Sequence, residues 1–429
     1  MATPDTQIYL ASGVRTPFQK AGGVFSYLDA IGLSIPVARA MMEKLDGGKP
    51  DFAIWGTVIP NLTWSNIARE ILLDSGVDPT IPAFSTIMAC STSMVGAFEA
   101  AGMIDGKGRN LALVGGVESM SRVQFGLGQN LSDWMHGLQN TKTIGQKIRH
   151  LSSLRPKDIR LWIPKVANRT SGLSMGEHTE ITAKEWQISR DEQDELALAS
   201  HQRAVAAWEQ GFFKDLVAPV STPVGVVKED GIPRKDTSAD RLKKLRPAFD
   251  MSSGRGTLTA GNSSPLTDGA AAIWVGSEEG MARLPSNTPR VRLVDYEISS
   301  VDFKTEGLLM APAFAVPRLL TRNGLRYADV DLWEIHEAFA AQLAFHMKAW
   351  EDEDFLRGRA KVQPSLGKFP RDRVNPNGGS VALGHPFGAT GARILSQAVK
   401  ELASRPKGTR AIVSICADGG LGTVALIEA

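Results

Sequence analysis

The stretch AFSTIMACSTSMVGAFEAAGMIDGKGRNLALVGG, from Ala83 to Gly116, predicts the fold class of the chain. Its apolar runs Ala83–Met88 and Asn110–Gly116 are typical of buried strands, and Ser91–Ile104 between them predicts a helix of small residues. A strand, a helix and a second strand in this order form a βαβ unit. Such a unit favours a mostly parallel or mixed sheet that is covered by helices.

The same alternation continues on both sides of this unit. In the first third of the chain, Gln7–Ala11 and Phe52–Ile59 predict strands, and Ala30–Leu45 predicts a helix. The elements predicted in the last third are strand Val291–Ile298, helix Ala311–Asn323, strand Leu332–His336, helix Ala338–Trp350, helix Ala389–Glu401, and strands Arg410–Cys416 and Gly422–Glu428. Each half of the chain therefore has one strand that leads to a cysteine.

The middle of the chain differs from both ends. From about Ser121 to Asp250 there is little strand signal except near Leu216–Val220, whereas Arg190–Gln210 predicts a long helix with Ser189 as its N-cap. This pattern predicts an insertion carried on the α/β core. A charged stretch interrupted by Pro and Gly, Glu351–Arg373, predicts an excursion over the surface.

Composition narrows the class of protein. The 429 residues correspond to roughly three domain-sized units, and 43% hydrophobic with 22% charged residues is typical of a soluble globular chain. A net charge of +2 argues against general nucleic-acid binding. The N-terminal MATPDTQIYL lacks a basic stretch before a long apolar run, and no apolar run approaches about 18 residues. We therefore expect neither a secretory signal nor a membrane-spanning helix.

The two cysteines are candidate thiols. Two cysteines, with few histidines in close spacing, form neither a disulfide framework nor a structural zinc site, so we expect a reducing compartment and no metal. Cys90 lies between the predicted strand and helix, where the positive end of the helix dipole is expected to lower the pKa of its thiol. It could equally be a small buried apolar residue. Cys416 ends a second buried strand and precedes a glycine-rich turn with free backbone N–H groups.

Two histidines lie in loop or turn contexts. His385 lies in NPNGGSVALGHPFGATG (375–391), whose glycines allow the backbone to approach a ligand closely, although the spacing fits neither G-x-G-x-x-G nor the P-loop. His336 follows a predicted strand, where an imidazole can donate to an oxyanion or cap the next helix. A lone loop histidine is usually structural. Two such histidines with two thiols at strand ends instead suggest acyl transfer through a Cys–His pair, with the second thiol as proton carrier.

Taken together, these motifs resemble those of the thiolase family, in the family's order and over nearly the whole chain. The matching stretches are Gly13–Phe18, the Cys90 junction, Gly115–Met120, Ser174–Glu177, Leu245–Phe249, Thr259–Ser264, Asp268–Ala271, His336–Phe339, Gly384–Pro386 and Cys416–Gly420. The resemblance implies an α/β fold of two similar βαβαβαββ halves in a five-layer αβαβα core, with a loop domain inserted in the first half. The implied domains are 1–120 plus 251–280 for the N-terminal half, 121–250 for the loop domain and 281–429 for the C-terminal half.

The resemblance also implies a reaction and a role for each candidate side chain. His385 takes the proton of Cys90, whose thiolate attacks an acyl carbonyl and becomes a thioester, and Cys416 carries a proton to or from the α-carbon of acetyl-CoA. His385 and a water held by His336 form one oxyanion hole, and the backbone N–H groups of Cys90 and Asp418 form the other. Coenzyme A and acetyl-CoA are then substrates, and no permanently bound cofactor is expected.

Four further positions match family positions that contact coenzyme A. Ser264 matches a serine beside the pantetheine, and Phe249 and Phe339 match positions beside the pantetheine and adenine. Arg234 matches a position near the nucleotide. The two phenylalanines could equally be core residues.

Two positions depart from the commonest family pattern. Many thiolases have Asn in place of His336, and the His-Glu-Ala-Phe form with a long basic insert resembles the β subunit of the trifunctional protein and its bacterial counterparts. Asp418 stands where the family usually has a small residue. Its carboxylate is expected to oppose a thiolate at Cys416 and to raise the pKa of that thiol.

The segment 121–176 is strongly basic, with nine Lys and Arg residues against two acidic residues and a net charge of +7. Apolar residues at helical spacing predict an amphipathic helix within it: Ile144, Ile148, Leu151 and Leu154. We expect this helix to end at Pro156, with Trp134 and Trp162 on either side. It can dock on an anionic membrane or a partner subunit, pack onto its own domain, or attract the phosphates of CoA. The resemblance favours an α-type β-oxidation subunit or a membrane surface as the contact.

The leading hypothesis is thiolytic cleavage of 3-ketoacyl-CoA in fatty-acid β-oxidation by a cytoplasmic homodimer or homotetramer. The near alternative is an acetoacetyl-CoA thiolase that works in the direction of condensation, because the site residues do not separate the two. A ketoacyl synthase shares the fold and a nucleophilic cysteine, but uses a histidine in place of a second thiol such as Cys416. A non-catalytic scaffold that binds CoA or lipid is the remaining alternative, and the presence of all four candidate side chains argues against it.

Overall fold

The computed structural model describes residues 6–45, 48–363 and 366–429; residues 1–5 of the N-terminal stretch and Pro364 and Ser365 of the predicted excursion lie outside this range. The strands are β1 (Tyr9–Ala11), β2 (Gln19–Lys20), β3 (Phe52–Gly56), β4 (Ala83–Phe84), β5 (Leu111–Glu118), β6 (Gly126–Leu127), β7 (Leu161–Trp162), β8 (Val220–Thr222), β9 (Gly225–Val227), β10 (Thr267–Gly276), β11 (Arg290–Ser300), β12 (Leu332–Ile335), β13 (Arg410–Ala417) and β14 (Leu421–Glu428). The helices are α1 (Ala30–Met42), α2 (Ile67–Ser75), α3 (Thr92–Met103), α4 (Gln129–Gln139), α5 (Ile144–Leu151), α6 (Met175–Glu185), α7 (Arg190–Glu209), α8 (Ala239–Lys243), α9 (Glu278–Met281), α10 (Phe303–Glu306), α11 (Ala311–Arg322), α12 (Ala340–Glu351), α13 (Ser380–Leu383) and α14 (Thr390–Ala403).

One pattern of strand pairing occurs twice in the main sheet. Over the described residues the strand order is β12-β13-β14-β11-β1-β10-β5-β3-β4, with β2 paired to β10. β3 runs parallel to β5, and β5 pairs antiparallel with β10. In the same way, β12 runs parallel to β13, and β13 pairs antiparallel with β14. The two halves join where β1 and β11 pair antiparallel, with Leu10 opposite Val291. The repeat explains the two similar halves that the sequence resemblance implies.

Three apolar clusters order the helices and sheet into layers. The central cluster packs α3 and α14 against strands of both halves. A second cluster places α1 and α2 on the outer face of the N-terminal half, and a third places α11 and α12 on the outer face of the C-terminal half. Each half of the main sheet forms one sheet layer, with α3 and α14 between the two halves. The resulting succession is helix, sheet, helix, sheet, helix, which is the predicted five-layer αβαβα arrangement.

The central helices approach each other at their N-terminal ends. A Cβ on Gly391 of α14 would lie 2.3 Å from the backbone nitrogen of Met94 in α3, so only glycine allows this contact. Next to it, the backbone N–H of Ala392 donates to Ser93 Oγ at 2.8 Å. Because Cys90 directly precedes α3 and His385 shortly precedes α14, this packing brings the two side chains to the same place.

The stretch that leads to Cys90 is a strand only at its start. The prediction of a strand over Ala83–Met88 is correct for β4 and wrong for residues 85–88. Ser85 Oγ donates to Asn66 Oδ1 at 3.1 Å, and Thr86 Oγ1 donates to Glu99 Oε1 at 2.9 Å. Side-chain hydrogen bonds therefore hold this segment as it leaves the sheet.

The structure confirms most other predicted elements and corrects two regions. Helix α7 begins as predicted, with Ser189 Oγ accepting from the backbone N–H of Glu192 at 3.1 Å. The excursion Glu351–Arg373 is only partly on the surface, because Phe355, Leu356 and Phe369 are buried in the third cluster. Strand β10 is fully buried and was not predicted, since its run of small residues has little strand propensity.

The inserted region contains two short strand pairs, β6–β7 and β8–β9, of which the sequence signal near Leu216–Val220 indicates only β8, which begins at Val220. Its basic helix α5 ends at Leu151 rather than at Pro156. Ser152 Oγ and Ser153 Oγ donate to carbonyls of the last turn at 2.9 and 2.6 Å, which satisfies groups that a longer helix would pair. The domain bounds given above remain a prediction. None of the helices in the described ranges has both the length and the apolar character that a membrane crossing requires.

Candidate active site

Cys90 lies in a tight turn, a short 3-10 helix over Ala89–Ser91, directly before α3. Ala89 has φ of +45°, in the left-handed region where a side chain strains the backbone. The hydroxyl of Thr92 holds the turn: it accepts from the backbone N–H of Met88 at 2.9 Å and donates to the carbonyl of Ala89 at 2.8 Å. The turn presents the Cys90 thiol at the start of the helix.

Ser91 fastens this turn to the other half of the protein. Its Oγ donates to the carbonyl of Ile415 at 3.4 Å and accepts from Thr423 Oγ1 at 3.0 Å. Ile415 precedes Cys416 at the end of β13, so the same contact brings the two thiols together. Burial raises the pKa of Cys416 well above its ordinary value, and the negative charge of a Cys90 thiolate acts in the same direction.

The turn between β13 and β14 directs a backbone N–H at Cys90. Gly419 and Gly420 have φ of +86° and +75°, and a Cβ on Gly420 would lie 2.5 Å from the carbonyl oxygen of Val301. This turn therefore requires glycine. The backbone N–H groups of Asp418 and of Cys90 itself act to lower the pKa of the Cys90 thiol, against the larger effect of burial. The oxyanion hole that these two N–H groups are expected to form remains a prediction.

His385 is oriented to accept the proton of Cys90. Its Nε2 lies 3.2 Å from Cys90 Sγ, and its Nδ1 lies 2.6 Å from Thr390 Oγ1. The Thr390 hydroxyl donates its hydrogen bond to the carbonyl of Pro386 at 3.2 Å, so it accepts a hydrogen bond from His385 Nδ1–H. Nδ1 thus carries the hydrogen and Nε2 has a free lone pair for the thiol.

His336 lies beside His385, with 4.2 Å between the ring centroids. Its Nδ1 lies 2.8 Å from Ser380 Oγ. Its Nε2 is buried and has no hydrogen-bond partner among the described residues. Cys90 Sγ and one ring nitrogen from each of the two histidines all lie within 4.8 Å of one another. The structure therefore brings Cys90, Cys416, His336 and His385 into one site.

The thiol and the imidazoles of this site are neutral at rest. Burial raises the pKa of Cys90 to about 12, and the carboxylate of Asp418 adds to the rise. Burial lowers the pKa of His385 to about 3 and that of His336 well below its ordinary value. The expectation that the helix dipole lowers the pKa of Cys90 is thus wrong for the resting site, because the cost of burying a charge is larger.

Asp418 acts on Cys90 rather than on Cys416. Its carboxylate raises the pKa of Cys90, whereas the causes of the raised pKa at Cys416 are burial and Cys90. Asp418 Oδ1 accepts from Asn168 Nδ2 at 2.8 Å and from the backbone N–H of Gly419 at 2.7 Å. The predicted influence on Cys416 is therefore corrected: these hydrogen bonds hold the carboxylate close to the nucleophile.

The positive charge of Arg393 opposes binding of a metal ion by Cys90, His336 and His385. Three soft ligands at this spacing could hold a metal ion. Arg393 is buried behind them, and its charge contributes, after burial, to the lowered pKa of both histidines. A metal cation would meet the same repulsion. The site is therefore better suited to proton transfer.

A cavity of about 780 Å³ opens onto Cys90 and His385. This volume is typical of a site for a sizeable organic ligand. Its lining is mostly apolar and includes Val58, Ile59, Pro60, Met120, Val123, Phe125, Trp162, Met175, Leu309 and Phe387. Val123, Phe125 and Trp162 come from the basic segment 121–176, so the insertion forms one wall of the cavity.

Three of the four positions assigned to coenzyme A line this cavity. Phe249 and Phe339 meet edge to face with centroids 5.7 Å apart, and Ser264 Oγ donates to the carbonyl of Ala338 at 2.8 Å. Arg234 is exposed and is not part of the lining. The four contacts with coenzyme A remain predictions.

Sequence reasoning missed residues that act through the four candidates. Thr390 fixes the tautomer of His385, Ser91 joins the two thiol-bearing segments, and Ser380 bonds His336. Thr390 and Ser380 both lie in the quoted glycine-rich stretch, five residues to either side of His385. Their position in that stretch was the available signal, but hydroxyl contacts depend on how the turn folds.

Comparison with known proteins places the chain among relatives of known name. Two family models match, Thiolase, N-terminal domain over residues 8–279 and Thiolase, C-terminal domain over residues 287–429. The chain is 37% identical over 426 residues to a 3-ketoacyl-CoA thiolase of Pectobacterium atrosepticum, covering 98% of this chain and 96% of the relative. It is 37% identical over 434 residues to a 3-ketoacyl-CoA thiolase of Pseudoalteromonas translucida, covering 98% and 97%.

Two solved structures share the fold over nearly the whole chain. The acetyl-CoA acetyltransferase of Bacillus anthracis matches with a TM-score of 0.78 and 30% identity, covering 99% of this chain and 98% of that one. A thiolase of Ascaris suum in complex with coenzyme A matches with a TM-score of 0.78 and 29% identity, covering 98% and 99%.

Proposed function

Because the chain belongs to the thiolase family, we propose that it cleaves 3-ketoacyl-CoA with coenzyme A, as in fatty-acid β-oxidation, by acyl transfer through Cys90. The observation that carries this proposal is the 3.2 Å contact between Cys90 Sγ and His385 Nε2 beside a large apolar cavity. The names of the bacterial relatives at 37% identity support the same reaction.

In the first half of the reaction, the acyl group moves to Cys90. The Cys90 proton moves to His385 Nε2 as the sulfur attacks the 3-keto carbon, and the resulting oxyanion accepts from the N–H groups of Cys90 and Asp418. The bond between carbons 2 and 3 then breaks, and its electron pair stays on carbon 2 as the enolate of acetyl-CoA. Cys416 gives its proton to that carbon, and acetyl-CoA leaves.

In the second half, coenzyme A removes the acyl group. The Cys416 thiolate takes the proton of the CoA thiol, and the CoA sulfur attacks the thioester on Cys90. Cys90 leaves as a thiolate and recovers its proton from His385. Both thiols and the imidazole return to their starting protonation, so the cycle needs no other proton donor.

A second candidate is the reverse condensation of two acetyl-CoA molecules. The name of the Bacillus anthracis structure, acetyl-CoA acetyltransferase, favours it. The same four side chains serve both directions, so the site alone does not choose. The apolar cavity of about 780 Å³, walled on one side by the insertion, favours substrates with a longer acyl chain.

We expect higher kcat/KM for a long-chain 3-ketoacyl-CoA than for acetoacetyl-CoA, by about tenfold or more, because each buried CH₂ adds about 0.8 kcal/mol. Thiolysis of both substrates is measured side by side, with the Cys90→Ala variant as blank. Activity on acetoacetyl-CoA alone would favour the second candidate. If the protein cleaves neither substrate faster than the blank, the proposed function is contradicted.

The assembly and location are proposed from the family resemblance alone. The chain is proposed to act as a homodimer or homotetramer in the cytoplasm, on acyl-CoA substrates and without a permanently bound cofactor. Arg234, Phe249, Ser264 and Phe339 are proposed to contact the coenzyme A moiety. Lys165 supplements them: it lines the cavity and has no ion pair among the described residues, so it is available to the CoA phosphates.

The basic–apolar surface, defined as β6, α4, α5 and β7, is proposed to dock on an anionic membrane. Ile144, Ile148 and Leu151 of α5 are 78%, 63% and 52% exposed, so the apolar side of this helix does not pack onto its own domain. Leu161 and Trp162 of β7 are 62% and 56% exposed. The surrounding net charge of +7 complements anionic lipid headgroups.

The double variant Ile144→Ser and Ile148→Ser is expected to bind vesicles of mixed anionic and neutral phospholipid at least about tenfold more weakly than the unmodified protein, because it removes two exposed apolar side chains. Co-sedimentation measures the binding. Val224→Ser, at an 81% exposed site in the β8–β9 turn, is the matched control and should bind normally. Failure of the unmodified protein to bind anionic vesicles contradicts membrane docking and leaves a partner subunit as the occupant.

A further inference from the structure

A buried cation behind the two histidines lacks a carboxylate partner. Arg393 of α14 is 3% exposed and forms no ion pair among the described residues. Its Nη2 donates to Ser380 Oγ at 2.5 Å. Burial lowers the pKa of Arg393 to about 10, so it stays charged at neutral pH. The carboxyl groups of Glu334 and Glu337 act on this charge from a distance, whereas its direct hydrogen bond goes to a neutral hydroxyl. Such a contact is uncommon for a buried charge and suggests that the hydroxyl has a further task.

The hydrogen bonds of Ser380 indicate which nitrogen of His336 carries its hydrogen. A guanidinium can donate hydrogen bonds but cannot accept them, so Ser380 Oγ is the acceptor toward Arg393. Among the described residues, the other partner of Ser380 Oγ is His336 Nδ1, at 2.8 Å. If the hydroxyl accepted there as well, its own buried proton would have no acceptor among the described residues, so the hydroxyl donates to Nδ1. That nitrogen is an acceptor and carries no hydrogen.

The second nitrogen of His336 must then carry the hydrogen. The pKa of His336 lies well below its ordinary value because of burial and the nearby charge, so the ring is neutral and has one N–H. With Nδ1 bare, that N–H is at Nε2, which is buried and without a partner among the described residues. The neighbouring His385 has the opposite tautomer, set by Thr390. One ring thus presents a lone pair to the site, and the other presents a donor.

We propose that Ser380 and Arg393 are positioning residues that hold His336 as the Nε2–H tautomer, so that it donates, directly or through a water, to the oxyanion formed in the reaction. The proposal rests on the proposed function for its chemical purpose, but the tautomer itself does not depend on it. An imidazole free to exchange tautomers would present a lone pair to the oxyanion for part of the time, and that arrangement is repulsive.

The tautomer can be read directly from ¹⁵N NMR of protein labelled at its seven histidines, with His336→Asn identifying the His336 signals. In the unmodified protein we expect a bare Nδ1 and a protonated Nε2 at His336. In Ser380→Ala we expect a mixture of tautomers. A protonated Nδ1 at His336 in the unmodified protein overturns the proposal. This measurement needs no turnover, so its outcome is independent of whether the proposed function is correct.

A double-mutant cycle tests the consequence for the reaction. Ser380→Ala is expected to lower kcat about 3- to 10-fold with less than about a threefold change in KM, because only a minor share of the molecules in the mixture then has the oxyanion donor. Asparagine has a fixed N–H donor and no tautomers. In the His336→Asn background, Ser380→Ala should therefore change kcat less than about twofold.

Two further variants separate positioning from folding. Ser380→Thr keeps the hydroxyl and should recover most of the activity. Ser396→Ala removes a buried hydroxyl of α14, the helix that carries Arg393; this hydroxyl donates to the carbonyl of Ala272 at 3.3 Å, and its loss should leave kcat unchanged. An equal loss of kcat from Ser380→Ala in both backgrounds would mean that Ser380 acts on the fold and not on His336, which overturns the proposal.

Discussion

Replacement of Cys90 with alanine is expected to lower kcat/KM for thiolysis by at least about 10⁴-fold, because removal of the nucleophile leaves only substrate binding and oxyanion stabilisation. The other thiol, Cys416, is 1% exposed, and burial raises its pKa well above the ordinary value. Among the described residues, the sulfur that lies within hydrogen-bond distance of a histidine nitrogen is that of Cys90, 3.2 Å from His385 Nε2.

Mass spectrometry checks the covalent step separately from turnover. The unmodified protein, incubated with an acyl-CoA and no free CoA, should gain the mass of one acyl group on the peptide that contains Cys90. Cys90→Ala should gain none, while a thermal unfolding curve shows that the variant is folded. Acylation of Cys90→Ala at another residue, or thiolysis within about 100-fold of the unmodified protein, would contradict the assignment of Cys90 as nucleophile.

The layered fold was predictable where a cap or an apolar run marks an element. Helix α7 was predicted from its N-cap Ser189 and the residues of its first turn, and strands β11, β13 and β14 from their apolar residues. Strand β10 has no such signal, because it consists largely of small residues that pack against neighbours on both faces of the sheet. Likewise, Phe355 and Phe369 are buried although charged residues and prolines surround them in sequence. Burial of this kind depends on contacts with distant parts of the chain. The local spacing of apolar residues does not indicate such contacts.

The identities of the site residues were predictable, but their protonation was not. Cys90 and His385 lie in unusual strand-end and glycine-rich contexts, which singled them out. The pKa of Cys90 depends on how completely the surrounding halves enclose it and on Asp418, which lies far away in sequence. The same holds for the tautomers of His336 and His385, because each is set by a hydroxyl whose direction depends on a third group.

Replacement of Cys416 with alanine should separate the two halves of the reaction. We expect cleavage of 3-ketoacyl-CoA to fall by about 10²- to 10⁴-fold, since the enolate of acetyl-CoA loses its proton donor. Exchange of labelled CoA with an acyl-CoA forms no carbanion. His385 alone can carry the proton that this exchange moves between Cys90 and the CoA thiol. That exchange should stay within about tenfold of the unmodified protein. Cys90→Ala, by contrast, should lose both reactions.

The comparison of the two rates is what assigns a role to Cys416. It lies at the end of β13, opposite Gly422, and it packs in the C-terminal core. Loss of its sulfur could therefore disturb the neighbouring turn that aims the N–H of Asp418 at Cys90. Such a disturbance would slow both reactions equally, because both need that oxyanion hole. A selective loss of cleavage is expected if Cys416 carries the protons of the cleavage reaction, whereas equal losses would show that its role is structural.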